Sequence, residues 1–156
     1  MSVDTEVNKK VIVFQLQDEE YAVPVEQVSF IERMEPITRV PRVASFVKGV
    51  INLRGVVTPV IDLRNRFNMP ETDHTEATRI IIIQLEEMEV GLIVDAANDV
   101  IDIPVDSIEQ APEVVGAASV DYIEGVAKLE ERLLLLLDIQ KVLTPEDLEE
   151  IKKAEG

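Results

Sequence analysis

Short apolar blocks separated by acidic turns set the pattern of this chain. Val11–Leu16 and Ile80–Ile83 are β-branched runs, followed by the polar turns Gln17–Glu20 and Glu86–Glu87 and then by a second apolar stretch. Blocks this short, bounded by turn residues, predict strands paired as hairpins. Tyr21–Val25 is the expected partner of the first strand. Gly49–Leu53 and Val56–Leu63 form a second pair around a turn at Arg54–Gly55, and Pro59 places the latter strand at a sheet edge or a bulge. The run Leu133–Leu137 reads as a strand buried on both faces. Val25, Val28 and Ile31, at i, i+3 and i+6, predict one face of a short helical segment. Thr144, Pro145 and Asp147 supply an N-cap, a first-turn proline and an acidic third residue, which opens a final helix over 144–154 with Leu148 and Ile151 on its apolar stripe.

Laid against itself, the chain matches twice without gaps. Residues 11–28 align with 80–97 at an offset of 69, and residues 46–67 align with 122–143 at an offset of 76. The second match pairs Gly49 with Gly125, Val50 with Val126, Leu53 with Leu129 and Asp62 with Asp138, and Pro41 and Pro112 occupy similar places between the matches. Shared glycine, proline and aspartate punctuation is harder to obtain from composition than matched aliphatics, which favours duplication over chance. Each copy holds several short strands with frequent turns, the pattern of a small closed or nearly closed barrel. The chain is therefore expected to be all-β dominated, with two such barrels in tandem joined by the polar segment Asn68–Thr78.

Composition narrows the function. Among 156 residues, Asp and Glu number 31 and Lys and Arg 15, a net charge of −16 that repels phosphate backbones and anionic headgroups. Nucleic acid and direct membrane insertion are not expected. The absence of cysteine excludes disulfides, thiolate nucleophiles and Cys-ligated metals, and fits a reducing, cytoplasmic home. The N-terminus lacks the apolar block of a signal peptide. No Walker A, G-x-G-x-x-G or G-x-S-x-G pattern occurs, and the single histidine, His74, lies in the polar connecting segment. The acid pairs Glu86–Glu87, Glu130–Glu131 and Glu149–Glu150 read as solvated charge. No catalytic residue, metal or cofactor is therefore assigned.

Where duplicated copies differ, function is the better explanation. Arg54–Gly55 is replaced by Glu130–Glu131, and Thr58–Pro59 by two leucines. Arg54 thus sits at a turn that the second copy makes without it, and can pair with a carboxylate of another protein or with an internal one such as Asp62. Both readings stand on sequence. The matched Gly49 and Gly125 point instead to a backbone requirement, and Asp62 and Asp138 to caps after their strands. Val28 corresponds to Ala97, so a pseudo-twofold arrangement would bring the two toward a common groove able to take a helix by its apolar face.

The strings DEEYAVPVEQV, ITRVP, FVKGVINLRGVVTPVIDLRNRF and EVGLIVD, which lie between about Lys10 and Leu143, resemble the CheW-type coupling proteins of bacterial chemotaxis. The resemblance implies one domain over 10–143 built from two SH3-like five-stranded barrels, about 18–76 and 77–143, with a strand over 10–17 bridging them. It implies an adaptor, not an enzyme, that links the cytoplasmic tip of a chemoreceptor (a methyl-accepting chemotaxis protein) to the regulatory domain of the histidine kinase CheA. By motif match the receptor contacts would include Ile12, Val25, Val28, Ile31, Arg54 and Ala97, and the kinase contacts Pro41, Gly49 and Val50 near a barrel end. Such a protein is cytoplasmic and is recruited to membrane receptor arrays through its partners. The competing expectation is a small-ligand sensor or an enzyme that uses the groove between the barrels.

Overall fold

The computed structural model describes residues 8–70, 72–110 and 122–155; Glu71 and Pro112 lie outside the described residues. Eleven strands and three short helices follow in the order β1 (Asn8–Leu16), β2 (Glu19–Pro24), β3 (Val28–Arg33), β4 (Val47–Leu53), β5 (Val56–Asp62), α1 (Leu63–Arg66), β6 (Arg79–Leu85), β7 (Met88–Val94), β8 (Ala96–Pro104), β9 (Ile108–Glu109), β10 (Ile123–Leu129), β11 (Arg132–Leu137), α2 (Ile139–Val142) and α3 (Pro145–Glu155). They form two sheets, ordered β8-β1-β2-β11-β10-β9 and β3-β6-β7-β5-β4.

Each sheet curls because one continuous segment serves both of its edges. Residues 96–109 leave the edge beside β1 as β8, make a 3-10 turn at Val105–Ser107, and pair with β10 as β9. In the other sheet the chain leaves the β3 edge and returns to β4 at Thr38, where Thr38 N–H donates to Val50 O (2.8 Å) and Val50 N–H donates to Thr38 O (2.9 Å). Counting β8 and β9 as one bent run, both sheets have five strand positions.

The duplication is reproduced residue by residue in the register. The pairs Val28–Ile83, Phe30–Ile82 and Ile31–Ile81 between β3 and β6 become Ala97–Phe14, Asp99–Val13 and Val100–Ile12 between β8 and β1 at the offset of 69, bulge included. At the offset of 76 the pairs Val47–Ile61, Gly49–Val60 and Val50–Pro59 become Ile123–Leu137, Gly125–Leu136 and Val126–Leu135. Asp62 and Asp138 cap α1 and α2 by accepting from the backbone N–H of Arg64 (3.0 Å) and Gln140 (3.1 Å).

Sheet membership does not follow the linear division at residues 76 and 77. The first hairpin of each copy is exchanged: β1 and β2 pair with β8 and β11, while β6 and β7 pair with β3 and β5. Three cores follow from this arrangement. Val11, Val13, Ala22, Ile103, Ala127, Leu134 and Leu136 fill one barrel, and Ile51, Leu53, Val60, Ile80, Ile82 and Ile93 fill the other. A larger central core draws Ile12, Phe14 and Leu135 from one sheet and Ile61, Ile81 and Ile83 from the other, and so binds the barrels together.

Two local expectations change. The segment after Pro24 is a single 3-10 turn, Val25–Gln27, followed by strand β3 instead of a helical face. Pro59 lies in an internal strand, between β4 and β7. It is tolerated there because Val50 spends both backbone groups on Thr38, which turns the Pro59 nitrogen away from β4, and the β7 ladder begins only at Val60. The C-terminal helix forms as read. Asp147 N–H donates to Thr144 Oγ1 (3.2 Å), Thr144 N–H donates to Asp147 Oδ2 (2.9 Å), and Leu148 and Ile151 are buried in the central core.

Candidate functional site

Residues three apart on a regular strand point to opposite faces, but Val28 and Ile31 do not. The bulge at Ser29 shifts the register by one, so Val28 stands opposite Ile83 and Ile31 opposite Ile81, two residues of the central core. A strand with one extra residue thus achieves what a helical face was expected to provide. The matching bulge in β8 places Ala97 opposite Phe14 and Val100 opposite Ile12, again on the face turned toward the other sheet. The two halves therefore carry equivalent apolar positions on the strand faces that look toward the central core.

These positions differ in exposure. Ile31 is 38% exposed and Val100 54%, whereas Ile12 is only 6% exposed and belongs to the core beneath. Val25 and Val28 are partly buried against that core, and Ala97 is half-buried. Val100 was not among the expected contacts; its signal was available in the sequence, since it falls on Ile31 at the offset of 69.

Arg54 stands apart from this face. It occupies the first position of the β4–β5 turn with φ 56°, followed by Gly55 with φ 86°. Positive φ at both positions is the backbone of a type I′ hairpin turn. Its guanidinium lies 4.4 Å from the centroid of the Phe30 ring and its Nη2 is 3.4 Å from Glu32 Oε2, while the side chain remains 71% exposed. The internal carboxylate is thus Glu32, not Asp62, and most of the arginine is still available to another protein. In the second barrel the position equivalent to Phe30 is Asp99, which meets Arg132 at 3.4 Å. Arg132 also donates to both carboxylate oxygens of Glu20 (3.2 and 3.1 Å), and its hydrogen bonds to Glu20 and then to Asp99 raise its pKa.

The three positions expected near a barrel end differ in access. Pro41 is exposed, Val50 is partly buried, and Gly49 is buried under the returning Thr38. A Cβ at Gly49 would meet Thr38 O at 2.2 Å, and its φ is +150°. The backbone requirement inferred from the repeat is this closure contact.

A polar cleft of about 140 Å³ is lined by residues that include Asp62, Arg64, His74, Thr78 and Asp95. Two of its charges, Arg64 and Asp95, are matched to each other. Arg64 Nε donates to Asp95 Oδ1 (2.8 Å), Arg64 Nη1 donates to Pro70 O (2.8 Å), and Gln17 N–H donates to Asp95 Oδ2 (2.8 Å). Burial pushes the Asp95 pKa up, but the hydrogen bonds from Arg64 and Gln17, with the Arg64 charge, hold it below the usual carboxylate value. The cleft is smaller than the roughly 300–1,000 Å³ of small-molecule sites. Among the described residues no group of three His, Cys, Asp or Glu side chains is placed to hold a metal, and no helix is long and apolar enough to cross a membrane.

Two barrels with exchanged hairpins, joined by a shared core and carrying paired apolar positions between them, define a two-barrel docking scaffold. The CheW-like domain matches residues 10–147, and the chain belongs to that family. It is 50% identical to the chemotaxis protein CheW of Bacillus subtilis over 146 residues, 94% of each chain. It is 35% identical to the chemotaxis protein CheW of Klebsiella aerogenes over 142 residues, 91% of this chain and 86% of that one. The crystal structure of the scaffolding protein TtCheW from Thermoanaerobacter tengcongensis superposes with a TM-score of 0.81 at 34% identity, covering 89% of this chain and 94% of that one.

Proposed function

We propose that this protein is a chemotaxis adaptor, without enzymatic activity of its own, that holds a chemoreceptor's cytoplasmic tip and the regulatory domain of CheA in fixed relative geometry. What supports this reading is the pair of matched bulges, which set Val28 and Ile31 of β3 opposite Ile83 and Ile81, and Ala97 and Val100 of β8 opposite Phe14 and Ile12, all four partners being residues of the central core. Apolar positions repeated in this way suit the apolar stripe of a helix. The receptor surface then comprises Val25, Val28, Ile31, Ala97 and Val100 over the floor made by Ile12, with Arg54 at the neighbouring turn. The kinase surface lies near Pro41, Gly49 and Val50, where Pro41 is the accessible member. Recruitment to membrane arrays follows from receptor binding alone. Signal passes through the scaffold as a change in relative geometry, since both surfaces are occupied at once.

The decisive experiment is reconstitution from purified components. A receptor-tip hairpin, this protein and the kinase regulatory domain are expected to co-elute as a ternary complex with no small molecule added; a complex that requires a small ligand would favour the sensor reading. Arg54→Glu is expected to weaken receptor-dependent kinase activation at least tenfold while leaving the thermal midpoint within a few degrees, because the second copy makes the equivalent turn with Glu130. Normal activation by that variant, or its failure to fold, would remove Arg54 from the receptor surface.

A further inference from the structure

Residues 36–61 contain no Asp or Glu and four bases, Arg39, Arg42, Lys48 and Arg54, in a chain of 156 residues with 31 acids. The second copy inverts this charge. The closing bridge Thr38–Val50 of the first barrel recurs as Glu109–Val126 in the second, which fixes the correspondence of the closing segments at an offset of 71. Arg39 then falls on Gln110 and Arg42 on Glu113, while at the offset of 76 Lys48 falls on Glu124 and Arg54 on Glu130. The whole equivalent stretch, 107–137, holds six acids and two bases. The same closure is made with charge of either sign, so the positive sign in the first barrel is not a demand of the fold.

Two of the four bases stand out. Arg39 and Arg42 are exposed on either side of Val40 and the exposed Pro41, and among the described residues neither guanidinium has an ion pair, in a chain with twice as many acids as bases. Arg54 already meets Glu32, and Lys48 lines a cleft with Asp73. Arg42 has φ 63°, a backbone that glycine or asparagine adopts more readily, so arginine is not there for the sake of the turn. The segment is held from beneath: Val40, Val43 and Ala44 pack on the central core, and Val47 N–H donates to Ala44 O (3.0 Å). Its arginines are thus presented from backbone that is already ordered. We propose that Arg39 and Arg42 make this end of the first barrel an electrostatic docking patch, which recognises a carboxylate-bearing face of the kinase regulatory domain. This rests on the kinase surface proposed around Pro41 and adds to it the chemistry of the contact. Opposite charge steers the partner to this barrel, and the equivalent end of the second barrel, being acidic, repels the same face.

The test is a calorimetric titration of the purified kinase regulatory domain into the full chain at about 50 and 500 mM NaCl, where charges are screened beyond about 14 and 4 Å. Arg39→Glu/Arg42→Glu is expected to bind at least about tenfold more weakly than wild type at low salt and within about twofold of it at high salt, with an unchanged thermal midpoint. Arg33→Glu/Lys141→Glu makes the same change in net charge at exposed positions elsewhere and is expected to bind within about twofold of wild type at both. Wild-type affinity in the Arg39/Arg42 variant, an equal loss at both salt concentrations, or an equal loss in the control would each overturn the patch. If the double reversal lowers the midpoint, Arg39→Gln/Arg42→Gln takes its place, with a smaller loss of about threefold expected at low salt and wild-type affinity there counting against the patch. Light scattering on the same samples covers the other occupant: self-association lost in the variant while kinase binding is kept would assign the patch to a second copy and overturn the proposal. Pro41→Trp separates the two levels. If it alone weakens binding, the kinase surface stands and the patch falls; if the wild type does not bind the domain, or no variant weakens binding, the surface around Pro41 falls and the patch with it.

Discussion

At single residues, the two left-handed glycines of the β4–β5 hairpin make different demands. Gly49 combines φ +150° with a neighbour, Thr38 O, 2.2 Å from where a Cβ would stand, whereas Gly55 has φ +86° and open space around it. Gly49→Ala must push back the Thr38 segment that closes the barrel. It is expected to cost about 3 kcal/mol or more in urea unfolding. Gly55→Ala meets only the left-handed backbone penalty, about 1 kcal/mol. Equal losses in the two variants would show that the closure contact is unimportant. Gly125, the repeat partner of Gly49, meets Glu109 O at 3.0 Å, so the second barrel closes by the same contact with more room.

Between elements, charged side chains tie together what the ladders do not. Asp95 stands at the corner between β7 and β8. Its own N–H donates to Gln15 O (3.0 Å), while its carboxylate accepts from Gln17 N–H and from Arg64 of α1. One residue thereby links strands of both sheets to a helix. Its folded pKa is lowered, so the stability it contributes is complete above the unfolded value, about 3.9, and is lost as pH falls through the lower folded value. Asp95→Asn is expected to be less stable than wild type at pH 7, and the gap should shrink as pH falls below about 4. Urea midpoints at the two pH values check this; a gap that widens in acid would reverse the assignment. Arg66 acts likewise at the other end, donating from Nε to Val142 O (2.9 Å) and from Nη2 to Asp147 Oδ2 (2.8 Å), which holds α3 against the first copy's strands.

For the whole molecule, hairpin exchange makes the two copies interdependent. Neither copy holds a complete sheet: β1 and β2 complete the barrel of β8–β11, and β6 and β7 complete that of β3–β5. Fragments 1–76 and 77–156 are therefore each expected to lack cooperative unfolding alone and to regain it when mixed in equal amounts, followed by circular dichroism. A first fragment that unfolds cooperatively by itself would mean that β3–β5 form a barrel without their borrowed strands. The same interlock suits an adaptor, because a core that both sheets share fixes the relative geometry of the two barrels.

The sequence by itself determined the strands, the duplication and the caps. Val11–Leu16, Asp62, Asp138, Thr144 and the matched glycines carry local or pairwise signals of apolar blocks, turn chemistry and backbone freedom, and these are short-range in origin. It also carried the family, through a string from Phe46 to Phe67 whose order composition alone would not produce. Only the tertiary structure decided which hairpin completes which sheet, because the apolar faces of β1–β2 and β6–β7 are alike and either barrel would accept them by pattern. The bulge at Ser29, which gives Val28 and Ile31 one face, was equally hidden: apolar spacing of three reads as helix until a neighbouring strand fixes the register. The partner of Arg54 was likewise a long-range fact, since Phe30 and Glu32 reach it only when β3 and the β4–β5 turn close the same barrel mouth.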